Sequence, residues 1–171
     1  MNQRTLFEIK KFETRNPNKN LPVSIFFSHC KKISELASVI KHLPKKSAII
    51  IREYHLNNQD REELSRKIIA LAKPLRLKVL IGKDLMLAQK VKADGVHFSD
   101  FDRLPIQILG RRSFPQEFIF SFSCHNLKSV LKAQKSGFDM IFISPIFPTK
   151  SHPGAKLIGL RKLTEISLKL E

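Results

Sequence analysis

"LKVLIGKDLMLAQKVKADGVHF", residues 77–98, holds two short apolar runs with one helix-length segment between them. LKVLI (77–81) and GVHF (95–98) are of strand length and read as buried strands. DLMLAQKVK (84–92) reads as a short helix, with Asp84 where an N-cap belongs. Two buried strands joined through a helix pair in parallel, whereas antiparallel neighbours close through a tight turn.

The same alternation extends outward on both sides. Upstream lie VSIFF (23–27) and AIII (48–51); downstream lie FIFSF (118–122) and MIFIS (140–144). Strands are therefore expected near 23–27, 48–51, 77–81, 95–98, 118–122 and 140–144. ISELASVIKHL sets Ile33, Leu36, Ala37, Ile40 and Leu43 at helical spacing ahead of Pro44. DREELSRKIIALA opens on Asp60–x–x–Glu63, a capping pattern, and stops before Pro74. A further helix is expected near 102–110. NLKSVLKAQKSG has Asn126 as cap and Gly137 as stop, and GLRKLTEISLKL forms the last helix. Six buried strands, each followed by a helical segment, describe an α/β protein with a parallel sheet covered by helices. An open doubly wound layer and a barrel both satisfy that pattern. Residues 1–20 are polar, include NPNKN, and read as a lead-in to a single domain over 21–171.

Composition narrows the partners. The chain has 171 residues, 42% hydrophobic and 27% charged, and no apolar run nears the roughly 20 residues of a membrane span. Its N-terminus lacks the apolar stretch of a secretion signal, and Cys30 and Cys124 lack metal-ligand spacing. A cytoplasmic protein with reduced thiols and no membrane partner is expected. The net charge of +16 invites a nucleic-acid reading. Lys plus Arg against Asp plus Glu is nevertheless 10 to 3 over 1–50, 13 to 8 over 51–112 and 8 to 4 over 113–171. An excess spread so evenly, without a basic tail, reads as a solvated surface, and nucleic acid is not expected as a partner. Such a surface also suits phosphorylated small molecules.

In either parallel architecture, chemistry collects at the C-terminal ends of the strands. Those ends carry cations (Arg52, Lys83, Lys150), carboxylates (Glu53, Asp84, Asp100, Asp102), hydroxyls (Ser123, Thr149, Ser151) and imidazoles (His125, His152). Cations beside hydroxyls suit a phosphate or diphosphate, and carboxylates nearby suit magnesium, which bridges to substrate phosphates. The three prolines of SPIFPTKSHPGAK (144–156) stiffen a loop that presents such groups. Simpler roles compete: Asp84 and Asp102 each stand where a helix should begin, and Ser123 and His125 can cap the next helix together with Asn126. His97, inside a short strand, reads as a core histidine.

ADGVHFSDFD (93–102), SFSCHN (121–126) and GFDMIFISPIFPTKSHPGAKLIGLRKL (137–163), with IIIRE and VLIGKD upstream, resemble the thiamine-phosphate synthase/TenI family over about residues 23–165. The resemblance implies a TIM (β/α)8-type barrel of which six βα units are present and the last two are missing. Open barrel edges of that kind would favour a homo-oligomer. It also implies thiamine biosynthesis: a magnesium-dependent transferase joins hydroxymethylpyrimidine diphosphate to thiazole phosphate, giving thiamine phosphate and diphosphate. By position, Arg52 falls on the diphosphate-binding arginine, Asp102 on a magnesium-binding aspartate and Ser123 on the serine that contacts diphosphate. Thr149 and Ser151 match loop threonines beside the thiazole, and His152 stands where the family has lysine. The family's glutamine and lysine flanking the arginine are Ile50 and Tyr54 here, and its asparagine–aspartate pair is Gly82–Lys83. Lys83 thus joins the diphosphate-binding candidates, and Asp84 becomes the second candidate magnesium ligand. Ser123 and His125 are the candidate catalytic residues, His125 because TenI-like relatives use the matching histidine in a thiazole tautomerase. A non-catalytic protein that binds a thiamine precursor or another anion, RNA included, is the third reading.

Overall fold

The structure is a computed structural model that describes residues 20–29, 33–104, 114–148, 154 and 156–168. Strands β1 (Ser24–Phe27), β2 (Ser47–Ile51), β3 (Lys78–Gly82), β4 (Gly95–Ser99), β5 (Ile119–Cys124) and β6 (Met140–Ile143) lie within two residues of their expected positions. They form a six-stranded sheet in chain order, β1 to β6. Helices α1 (Ile33–Lys41), α2 (Asn58–Ala72), α3 (Leu85–Lys90), α4 (Leu127–Lys135) and α5 (Gly159–Leu168) follow β1, β2, β3, β5 and β6 in turn. This is the α/β architecture of a TIM-type fold, with six parallel strands. The helix expected near 102–110 falls mostly outside the described residues; Asp102, Arg103 and Leu104 are described and are not helical. No described helix is long and apolar enough to cross a membrane.

The described residues fall into two compact units. One runs to Val96 and takes in Phe114–Ile119; the other begins at His97 and takes in the residues from Phe120 onward.

In the first unit β1 pairs in parallel with β2, setting Ile25 against Ala48, and β2 with β3, setting Ile50 against Leu80. Ala48, Ile49, Ile50, Ile51, Val79, Leu80 and Ile81 are all buried, as strands covered on both faces must be. Leu36 and Ile40 of α1 and Leu64, Ile68 and Ala72 of α2 supply the covering stripe at helical spacing. Helix α2 starts earlier than Asp60 suggests. Asn57 is the cap, its side chain accepting the Asp60 N–H at 2.9 Å, while Asn57 Nδ2 donates back to Asp60 at 2.8 Å. Two overlapping capping patterns exist, and the upstream one gains three residues of helix. Nor does Pro74 end the segment at once: Lys73–Leu75 continues as a 3-10 turn with proline in its first positions, where its missing N–H costs nothing.

In the second unit β5 pairs in parallel with β6, Phe122 against Ile141. Val130 and Ala133 of α4 and Ile166 of α5 are buried, as are Phe120, Phe122 and Phe138. Asn126 caps α4 as expected, in a reciprocal box with Ser129, and Gly137 follows with φ 70°.

One device recurs in both units. Asp94 donates its N–H to Val79 O at 2.9 Å, and its carboxylate accepts the Val79 N–H at 2.8 Å. Asp139 does the same with Phe120, at 2.8 Å in both directions. In each case the aspartate precedes one strand and clamps the start of the strand before it. Both clamps sit at strand starts, which leaves the C-terminal strand ends to carry other side chains.

Candidate active site

The first unit presents Arg52, Lys83 and Asp84. Arg52 leaves the end of β2, where its Nε–H donates to Ser28 O at 3.3 Å and its guanidinium lies 5.0 Å from the centre of the Phe27 ring. Behind it, buried Glu53 accepts the Ser28 hydroxyl at 2.6 Å and the Arg52 N–H at 3.0 Å. Ser28 Oγ also accepts the Arg52 N–H at 3.1 Å and lies 3.1 Å from Ile50 O. Such a network fixes the backbone from which the guanidinium projects.

After β3, Lys83 adopts φ 63°, a left-handed turn that costs about 1 kcal/mol for a non-glycine residue. That turn sets Lys83 Nζ 4.7 Å from the Tyr54 ring centre, while Arg61 lies 5.3 Å from the same ring. Tyr54 is thus a platform for two cations. Gly82 is needed beside it, since a Cβ there would lie 2.5 Å from Tyr54 Oη and 2.8 Å from Ile51 O. Buried Arg61 donates to Gly82 O at 2.5 Å and stands 3.7 Å from Asp84 Oδ2. Asp84 is the N-cap of α3, its Oδ1 accepting the Leu87 N–H at 2.8 Å.

The second unit presents Ser123, His125 and Asp102. Ser123 Oγ lies 3.1 Å from His97 Nε2, and His97 Nδ1 lies 2.9 Å from Ser121 Oγ. His97 is buried and satisfied, as a core histidine should be, but its partners are the candidate serine and a second serine two residues before it. The cap of α4 is made by Asn126 and Ser129 rather than by Ser123. His125 Nδ1 donates to Ser144 O at 2.6 Å, and its Nε2 lies 3.6 Å from Asp100 Oδ1. That Asp100 oxygen is buried and accepts no hydrogen bond from the described residues. A cavity of about 440 Å³ opens beside His125, between Asn126, Lys156, Ile158, Lys162 and Ile166. Asp102 Oδ2 accepts from Ser99 N–H at 2.7 Å and Ser99 Oγ at 2.8 Å, so it closes the turn after β4. Thr149, Ser151 and His152 lie outside the described residues.

Among the described residues, no three His, Cys, Asp or Glu side chains gather to hold a metal ion. Magnesium asks for less: one or two carboxylates with the remaining oxygens from water and phosphate. Asp102 and Asp84 fit that donor chemistry, although Asp84 already faces Arg61.

Burial pushes the Cys124 thiol up to about 11, which marks it as an inert core residue. Four features of the strand ends escaped the sequence reading: the Glu53–Ser28 support, the Tyr54 platform, the Asp100–His125 pair and the bonding of His97 to Ser123. Each joins residues from different strands or loops, and only register brings them together.

The family profile described as thiamine monophosphate synthase (TMP-TenI) matches residues 26–171. A curated relative from Aquifex aeolicus is 38% identical over 120 residues, covering 70% of this chain and 63% of its own length. The thiamine-phosphate synthase of Bacillus licheniformis is 32% identical over 108 residues, 63% of this chain and 47% of its own. The chain therefore spans about half to two thirds of the length of these relatives. A solved thiamine phosphate pyrophosphorylase from Pyrococcus furiosus superimposes with a TM-score of 0.68 at 19% identity, covering 89% of this chain and 72% of its own. Matched by that profile over all but its first residues, the chain belongs to the thiamine monophosphate synthase family.

Proposed function

We propose that the protein takes part in thiamine biosynthesis as a thiamine-phosphate synthase, joining hydroxymethylpyrimidine diphosphate to thiazole phosphate. The observation that carries this reading is Arg52, held at the end of β2 by Ser28, Glu53 and Phe27 within a chain of this family. In the reaction the pyrimidine methylene carbon parts from the diphosphate oxygen and is joined to the thiazole. Negative charge grows on the departing diphosphate, and stabilising it lowers the barrier. Arg52 and Lys83 supply positive charge, and Ser123 supplies a hydroxyl. Thr149 and Ser151 are the candidates beside the thiazole, and His152 is a further candidate for holding the diphosphate. Asp102 and Asp84 are each a candidate ligand for a magnesium ion, which when bound would neutralise diphosphate charge. The support for Arg52 is preorganised, so little ordering cost remains when the anion arrives.

Incubation of the purified protein with both precursors and magnesium tests this reading. Thiamine phosphate should form, and Arg52→Ala should slow its formation at least about a hundredfold, the scale of one lost charge-stabilising group. Product formation no faster than without protein refutes the synthase activity.

A second reading rests on His125. Its Nδ1–H donates to Ser144 O, which in the neutral ring leaves Nε2 as the basic nitrogen, 3.6 Å from Asp100 Oδ1, and the residue lines a cavity of about 440 Å³. That arrangement suits proton transfer in a thiazole phosphate tautomerase. Tautomerisation undiminished in His125→Asn rules it out.

A further inference from the structure

The Ser121–His97–Ser123 chain has a polarity, and that polarity decides what Ser123 can do. His97 on β4 and Ser121 and Ser123 on β5 line one face, because residues two apart on a strand point the same way. Phe142 closes against the imidazole, with ring centres 5.6 Å apart. His97 is 4% exposed and Ser121 is fully buried, whereas Ser123 at the strand end is partly open. A neutral imidazole has one N–H and one lone pair, so its two hydroxyl contacts must run in opposite senses.

Two senses exist. With the proton on Nδ1, the ring donates to Ser121 and takes the Ser123 proton at Nε2. Ser123 then meets a ligand with lone pairs only, which repel a phosphate oxygen. With the proton on Nε2, Ser121 donates to Nδ1 and Nε2–H donates to Ser123. The Ser123 O–H is then available to an anion, and donation from the ring polarises it further.

We propose that His97 is a positioning residue: in the ligand-bound protein its Nε2–H donates to Ser123 Oγ and so holds Ser123 as a hydrogen-bond donor to an anionic ligand. This rests on the reading of Ser123 as a diphosphate contact. The buried Ser121 hydroxyl is the anchor that lets the ring adopt this tautomer without stranding Nδ1.

Binding of inorganic diphosphate in magnesium buffer, measured by calorimetry, tests the proposal in the full chain. Ser123→Ala should weaken binding about tenfold or more, the scale of one hydrogen bond to a charged group. His97→Asn, which cannot reach the Nε2 position, should produce a similar loss. The double variant should bind no worse than Ser123→Ala alone, because His97 acts only through that hydroxyl. His97→Gln, whose amide nitrogen can occupy the Nε2 position, should recover to within about threefold of the unaltered protein. Long-range proton–nitrogen NMR of the unaltered protein with diphosphate should show His97 as the Nε2–H tautomer, whether or not any variant folds. Additive losses in the double variant, or an Nδ1–H ring in the bound protein, overturn the positioning role alone. Failure of the unaltered protein to bind diphosphate overturns the anion site itself, and the role of His97 with it.

Discussion

Replacing Asp139 by alanine should be far more damaging than replacing Asp94, although the two make the same clamp. Each carboxylate accepts a backbone N–H at 2.8 Å from the start of the preceding strand. Asp139 is 8% exposed and Phe120 2%, so water cannot take over the orphaned N–H. Losing a hydrogen bond to a charged group and stranding a buried donor costs about 3 kcal/mol. The Asp94 side chain is 34% exposed and pairs with Lys78 at 2.9 Å, a half-open ion pair of little net worth. Val79 is as buried as Phe120, so the difference lies in the vacated carboxylate site, which at Asp94 is open enough for water to enter, and the cost there falls to about 1 kcal/mol. Urea unfolding followed by circular dichroism separates the two. With a slope of about 2 kcal/mol per molar, the midpoint should fall by about 1.5 M for Asp139→Ala and about 0.5 M for Asp94→Ala. Asp139→Asn keeps an acceptor oxygen and should recover at least half of the loss. Equal shifts for the two alanine variants, or Asp139→Asn as damaging as Asp139→Ala, would show that the clamp does not operate as described.

Gly95→Ala should prevent normal folding, because a Cβ there would run into the backbone oxygen of Ile119 and the strands would have to separate. Soluble Gly95→Ala protein with an unchanged unfolding midpoint would refute that contact. In a Cys30→Ser background, Cys124 should react with a disulfide reagent at pH 8 at least about a hundredfold more slowly than in urea, since burial holds the thiol near 11 rather than 9.0. The native state keeps this proton after the unfolded state has lost it, so stability should fall as pH rises from about 9 to about 11. Cys124→Ala should flatten that part of the pH profile; an unchanged fall would place its origin elsewhere.

Much of the fold was legible because it is written locally. Six apolar runs marked the strands, and Asn126 and Gly137 marked the ends of α4 through local capping chemistry. The start of α2 was misplaced because Asn57–x–x–Asp60 and Asp60–x–x–Glu63 both read as caps, and only the formed helix shows which one is used. At the candidate site, Arg52 and Ser123 stood out as polar residues directly at strand ends. What holds them was hidden: Ser28 and Glu53 are 25 residues apart, and His97 and Ser123 are 26 apart. Pairs so distant in sequence become neighbours through parallel register, which residue spacing does not encode. Asp84 illustrates the opposite limit, since a helix cap and a metal ligand use the same residue type at the same place.

The most direct test of the account is a single time course with both phosphorylated precursors and magnesium, following thiamine phosphate by chromatography and diphosphate by phosphorus NMR. The account predicts one diphosphate released per thiamine phosphate formed, with both rates falling together in Arg52→Ala. Diphosphate release without thiamine phosphate, or neither product above the protein-free control, would contradict it.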